Sequence, residues 1–95
     1  MGKQNIPKNW YPDIIMSAAN NTKIKIETYK KLSDNGLHFI FYNKQDAKKF
    51  EDEIGQHIIK AIKNYIKLHD LDVSEYLMNL LFTTARENIV VNIYW

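Results

Sequence analysis

Residues 44–69, KQDAKKFEDEIGQHIIKAIKNYIKLH, constrain the fold more than any other stretch of this chain. Ala47, Phe50, Ile54, Ile58, Ala61, Tyr65 and Leu68 recur at spacings of three and four, the period of one helix face. Ile59, Ile62 and Ile66 widen that stripe beyond a coiled-coil seam, so the helix is expected to cross a sheet and touch a second partner. Asn43 is placed to cap it, with Asp46 three residues on giving part of a capping box. Glu51, Asp52 and Glu53 precede Lys60, Lys63 and Lys67, an order that suits the helix macrodipole, while Lys44, Lys48 and Lys49 oppose it.

A chain of 95 residues makes one domain. At that size it buries roughly 60 to 65% of its unfolded surface, enough for one modest core. Upstream of the long helix, Pro12 and Asp13 suit a helix start. A short helix over 12–20 follows, with Ile14, Ile15, Ala18 and Ala19 inward and Asn20 or Asn21 as its stop. Residues 1–11 are expected to form a loose arm, with Trp10 and Tyr11 packing back onto the domain at 12–95.

From Lys23 the period changes to two, and Asn35-Gly36 is a strong signal for a type I′ hairpin turn. With those two as the loop, strands 23–33 and 37–43 pair Leu32 with Phe39, Lys30 with Phe41 and Tyr29 with Tyr42. Ile24, Ile26, Thr28, Leu32, Phe39 and Phe41 then share the core face. Tyr29, His38, Ile40, Tyr42 and several lysines share the other. A longer loop through Asp34 instead slips the register by one residue and changes these pairs.

Beyond the long helix, Asp72 and Glu75 resemble a cap for a second helix over 73–88, with Val73, Tyr76, Leu77, Leu80, Leu81 and Ala85 on one face and Asn88 as its stop. The closing run IVVNIYW, 89–95, reads as a strand. The expected fold class is α+β: a small, mainly antiparallel sheet packed against two helices, with a short N-terminal helix.

Little in the chain points to catalysis. There is no cysteine, which excludes disulfides and thiolate metal sites and fits a cytoplasmic setting. No dinucleotide, phosphate-loop, zincin or nucleophile-elbow motif occurs. Glu53 and His57 are four apart on the long helix, and such a pair can share a metal or a proton; a metal site needs more ligands than that. His69 lies too far along the same helix to join them. Ser17, Ser33 and Ser74 have no base at a suggestive spacing. Neither a metal nor a cofactor is expected, and the chain is expected not to be an enzyme. No apolar leader, membrane span or myristoylation signal is read, so no membrane association is expected.

The net charge is +2, with twelve lysines and a single arginine, Arg86. Arginine makes the bidentate contacts of base readout, so this balance disfavours sequence-specific nucleic-acid recognition. The richness in Asn, Ile, Lys and Tyr points to an AT-rich gene, of the kind common in bacteriophages and their hosts.

One stretch bears on binding. GLHFIFYNKQDAKKF, residues 36–50, sets aromatics on alternate strand positions and follows them with a D-A-x-x-F helix. It resembles the third strand and following helix of an RNA-recognition motif, over fewer than twenty residues. Asn35 stands where that motif carries a basic residue, and no second aromatic strand precedes the first helix. The resemblance implies a base-stacking face, and a solvent-facing set of Tyr29, His38 and Tyr42 beside Lys25, Lys31 and Lys44 suits single-stranded nucleic acid or a nucleotide. Tyr94 and Trp95 suggest a second use. An apolar terminal strand at an open edge invites a protein partner or a second copy, and aromatics are enriched at such interfaces; the alternative is that the strand lies inside its own sheet beside the hairpin. The leading expectation is a small non-enzymatic interaction or regulatory protein that binds or sequesters a macromolecule or ligand, in concrete form a phage-type inhibitor of a host function. Binding of single-stranded nucleic acid or a nucleotide is the alternative.

Overall fold

The computed structural model describes residues 2–95. Along the described residues run α1 (Tyr11–Asn21), β1 (Ile26–Ser33), β2 (Gly36–Phe41), α2 (Lys44–Leu68), β3 (Thr83–Glu87) and β4 (Val90–Tyr94). Single 3-10 turns lie at Lys8–Trp10 and Val73–Glu75. The strands form one four-stranded sheet in the order β1-β2-β4-β3, antiparallel throughout. The α+β class read from the sequence is the class found.

The long helix begins where its cap places it: the Asn43 side chain accepts from the Asp46 backbone N–H at 2.8 Å. Its 25 residues run about 37 Å at the α-helical rise, most of the molecule's 45 Å long axis. Ala47, Phe50, Ile54, Ile58, Ala61, Ile62 and Ile66 are buried. Phe50 packs between the rings of Phe39 and Phe41 on β2, at 5.2 and 4.8 Å between centroids. The second partner of the wide stripe is α1, which lays Ile14, Ile15, Ala18 and Ala19 along α2. The stripe stops before Leu68, which projects into water from the last turn, 81% exposed. Asp70 then takes a left-handed φ of 55°. The N–H groups of Asp70 and Leu71 return to the carbonyls of Lys67 and Ile66, both at 3.1 Å, which closes the helix end as a Schellman motif. At the end of α1 the left-handed residue is Lys23, φ 59°, and neither Asn20 nor Asn21.

Four expectations are corrected. The N-terminal arm is not loose along its whole length. Gln4 N–H donates to the Glu75 carbonyl and the Gln4 carbonyl accepts from Leu77 N–H, each at 2.8 Å, and Ile6 is buried. Trp10 and Tyr11 do pack back: Trp10 lies 5.2 Å from Tyr65 and 5.4 Å from Tyr76, and Tyr11 is buried. Within that cluster, burial and the nearby Asp13 carboxylate push the Tyr65 phenol up.

The hairpin loop is Asp34-Asn35, one residue earlier than expected. Ser33 faces Gly36, and the ladder continues as Lys31–Leu37, Lys30–His38, Tyr29–Phe39 and Thr28–Ile40. Irregularities between Ile26 and Thr28 and between Lys31 and Ser33 mark two bulges. Gly36 is not a positive-φ residue. It lies inside β2, where a Cβ would meet the Tyr94 ring at 3.3 Å and Leu32 Cβ at 3.4 Å. The glycine serves close packing, and the type I′ argument that placed it in the loop does not apply.

The helix expected over 73–88 does not form. The Asp72 cap is real, its carboxylate accepting from Ser74 N–H at 2.9 Å, but only one 3-10 turn follows. Tyr76 then leaves extended, bridges to Gln4 and is buried. Leu80 also enters the core. Thr83 and Thr84 are β-branched and poor helix formers. Drawn into a helix, Thr83–Glu87 would leave β4 unpaired on one side, and sheet pairing outweighs the modest helix propensity of the leucines. Asn88 does take a left-handed φ, 57°, as the first loop residue of the β3–β4 hairpin and not as a helix stop.

Last, the C-terminal strand is not an edge. β4 lies between β2 and β3, with Val91 and Ile93 fully buried. Removal of 90–95 therefore dismantles the sheet; it does not simply delete a docking strand.

Phe50→Ala should destabilise the fold by about 3–5 kcal/mol in urea unfolding. Leu68→Ala, at an exposed site, should stay within about 0.5 kcal/mol. The Ser74 hydrogen bonds hold the Asp72 carboxyl below the usual carboxylate range. That cap adds stability above the ordinary Asp pKa and loses it as pH falls through the lowered folded value. Acid titrations followed by circular dichroism should show a shallower loss of stability with falling pH below about 4 for Asp72→Asn than for the parent.

Candidate functional site

Both helices lie on one side of the sheet, since the residues that face α2 on β2 and β4 are Leu37, Phe39, Phe41, Val91 and Ile93, all buried. Side chains alternate along a strand, so His38, Ile40, Val90, Asn92 and Tyr94 take the opposite side. No element among the described residues covers that side: Tyr94 stays 40% exposed and Tyr42, just past β2, 54%. Cross-strand partners build it in rows. Thr28, Ile40, Val90 and Glu87 cross the sheet in one; Lys30, His38, Asn92 and Ala85 in the next; Gly36, Tyr94 and Thr83 in a third.

The face is held in place by its own contacts. Asn92 Nδ2 donates to the Tyr94 hydroxyl at 3.1 Å, so Asn92 Oδ1 faces His38 Nδ1, 2.6 Å away. An amide oxygen only accepts, so this contact is a hydrogen bond in the tautomer with the proton on His38 Nδ1. Tyr94 lies over Gly36, whose missing side chain leaves room for the ring. Lys25 Nζ stands 5.3 Å from the centre of the Tyr42 ring, within cation–π range.

Of the residues singled out from the sequence, His38, Tyr42 and Tyr94 meet on this face. Tyr29 and Lys31 do not. Tyr29 pairs with Phe39, its ring 6.4 Å away, and Lys31 pairs with Leu37, which sets both on the helix side of the sheet. Their register differs by three residues from the one expected, an odd shift, and every odd shift turns a side chain to the other face. Tyr29 nevertheless stays 56% exposed, as most of β1 does. Lys31 sits 3.8 Å from Asp34. Lys44 opens α2 and is exposed. Trp95 turns to the helix side and packs 5.9 Å from Tyr11.

Lys30, Val90, Asn92 and Thr83 belong to the face and were not singled out. The signal for two of them was present: VVNIYW alternates so that Val90, Asn92 and Tyr94 point one way and Val91, Ile93 and Trp95 the other. Leu81, expected on the apolar face of a helix over 73–88, is instead 79% exposed at the entry to β3. Leu81, Phe82, Thr83, Tyr94 and Trp95 line an open apolar groove of about 500 Å³ where this face meets the β3 edge. Glu53 and His57 are half-buried on α2. Among the described residues no group of three or more His, Asp or Glu side chains could hold a metal. None of the described helices is long and apolar enough to cross a membrane.

Comparison with protein-family models, with curated proteins and with solved structures gives no match.

Nitrogen-15 spectra of the neutral His38 ring should show the Nδ1–H tautomer, and Asn92→Leu should abolish that preference.

Proposed function

We propose that this chain acts by binding, not by catalysis, and that the uncovered sheet face docks a protein partner. The observation that carries the reading is the set of large side chains on the uncovered side of the sheet: Tyr42 and Tyr94 exposed, Ile40 and Val90 half-buried, continued by exposed Leu81 at its border. Exposed apolar area gathered in one place marks interaction surfaces, and tyrosine, with its apolar body and polar tip, is enriched there. His38 and Asn92 add polar groups already fixed in orientation, the arrangement that gives a docking surface specificity at small entropic cost. In concrete form the chain is an accessory protein that occupies another macromolecule's surface and blocks its use; the phage-type version of this reading rests on composition alone.

A second reading has its own support. Lys25 over Tyr42, with Lys30 beside His38, sets cations next to rings, as a single-stranded nucleic-acid or nucleotide site does. The scarcity of arginine and the engagement of Arg86 by Glu51, 3.4 Å away on α2, weigh against it.

The two readings separate by salt and by one double variant. Tyr42→Ala/Tyr94→Ala should keep the parent's circular dichroism spectrum and a cooperative unfolding transition, with Tyr94 the costlier of the two because its ring packs over Gly36. Affinity capture with parent and variant, compared by quantitative mass spectrometry, should return a protein that the variant loses and that persists in high salt. Fluorescence polarisation with a labelled oligothymidylate should show no binding. Oligonucleotide binding that falls steeply with salt and vanishes in the variant would replace the first reading by the second.

A further inference from the structure

The two edges of the sheet are unlike. β1 carries two bulges and the charged residues Glu27, Lys30 and Lys31, devices that keep an edge from pairing. β3, sequence TTARE, has a regular register with β4 and no lysine, proline or bulge.

The direction of its free backbone groups follows from the ladder. Phe41 N–H donates to the Ile89 carbonyl at 2.8 Å. In an antiparallel pair the hydrogen-bonded positions alternate, so Ile89, Val91 and Ile93 bond toward β2 and Val90, Asn92 and Tyr94 bond toward β3. The partners of the latter are Glu87, Ala85 and Thr83. Thr84 and Arg86 are left with N–H and C=O aimed outward from the edge.

We propose that the β3 edge pairs antiparallel with β3 of a second copy, about a two-fold axis at Ala85, to give one continuous eight-stranded sheet. In that register Thr84 meets Arg86 of the second copy and Arg86 meets its Thr84, so the outward backbone groups find each other in hydrogen-bonded pairs. Thr83 meets Glu87 of the second copy, a hydroxyl donor against a carboxylate. No like charges stand opposite one another, and Arg86 keeps its own Glu51 at 3.4 Å. Self-complementarity of this kind is what an isologous contact requires. A two-fold axis normal to the sheet keeps both uncovered faces on the same side, so pairing doubles the surface described above. The proposal does not depend on what that surface binds.

The chain has no cysteine, which makes a single introduced thiol a clean reporter. Ala85 is exposed, and Ala85 meets itself across the axis in a non-hydrogen-bonded pair, where Cβ atoms come about 4.5–5.5 Å apart. Under mild oxidation Ala85→Cys should convert to a disulfide-linked dimer, while Thr83→Cys, which meets Glu87 and not itself, should stay unlinked. Sedimentation equilibrium of the parent should give twice the 11.3 kDa chain mass, and Ala85→Lys, which opposes two ammonium groups at the axis, should return it to the monomer with an unchanged circular dichroism spectrum. A parent that remains monomeric at about 1 mM, or an Ala85→Cys chain that links no faster than Thr83→Cys, overturns the proposal. Either result leaves the partner-binding reading standing, since that is read from Tyr42 and Tyr94.

Discussion

Phe50 sits between Phe39 and Phe41, and the rest of the molecule is arranged around that contact. Three fully buried rings join the middle of the sheet to the first half of α2. Tilted ring pairs at these distances add to what burial alone contributes. Because Phe39 and Phe41 must both point at α2, the residues between and beside them, His38, Ile40 and Tyr42, must point away. The packing of one side of the sheet therefore sets the composition of the other.

α2 cannot serve the sheet alone. Its apolar stripe is too wide for one neighbour, and α1 covers the part the sheet does not reach. The two helices occupy one side together, and the described residues hold no further α-helix to place on the other. In a larger α/β protein a second helical layer would hide such a face. Here the polar and aromatic side chains of β2 and β4 stay at the surface, where Asn92 orders its neighbours and Gly36 lets Tyr94 lie flat.

The segment between α2 and β3 shows local preference losing to tertiary demand. Tyr76, Leu77, Leu80 and Leu81 carry a plausible helical spacing. Yet Tyr76 pairs with the N-terminal arm, Leu80 is buried, and Leu81 is left in water beside an unprotected strand edge. The same chain path ties down Gln4 and Ile6, supplies β4 with its second neighbour, and leaves an apolar groove where the sheet ends. The self-pairing proposed at β3 would cover the bare edge.

Local signals sufficed wherever the chain's own neighbours carried the information. The cap at Asn43, the length of α2 and its stripe, the inward residues of α1 and the alternation of the last strand all follow from spacing within a few residues. So did the placement of His38 and Tyr42 on one side, which needs only the buried alternation of Phe39 and Phe41. Contacts distant in sequence decided the rest. The side that Tyr29 takes depends on two bulges and on where the hairpin turns, and Gly36, drawn into β2, packs against Tyr94, a residue 58 positions away. Whether residues 83–87 became helix or strand depended on β4 needing a neighbour, and whether β4 was an edge depended on the same pairing. Periodicity reports how one segment divides its side chains between core and water; it carries no information on which segment will supply the core, and only the assembled sheet settles that.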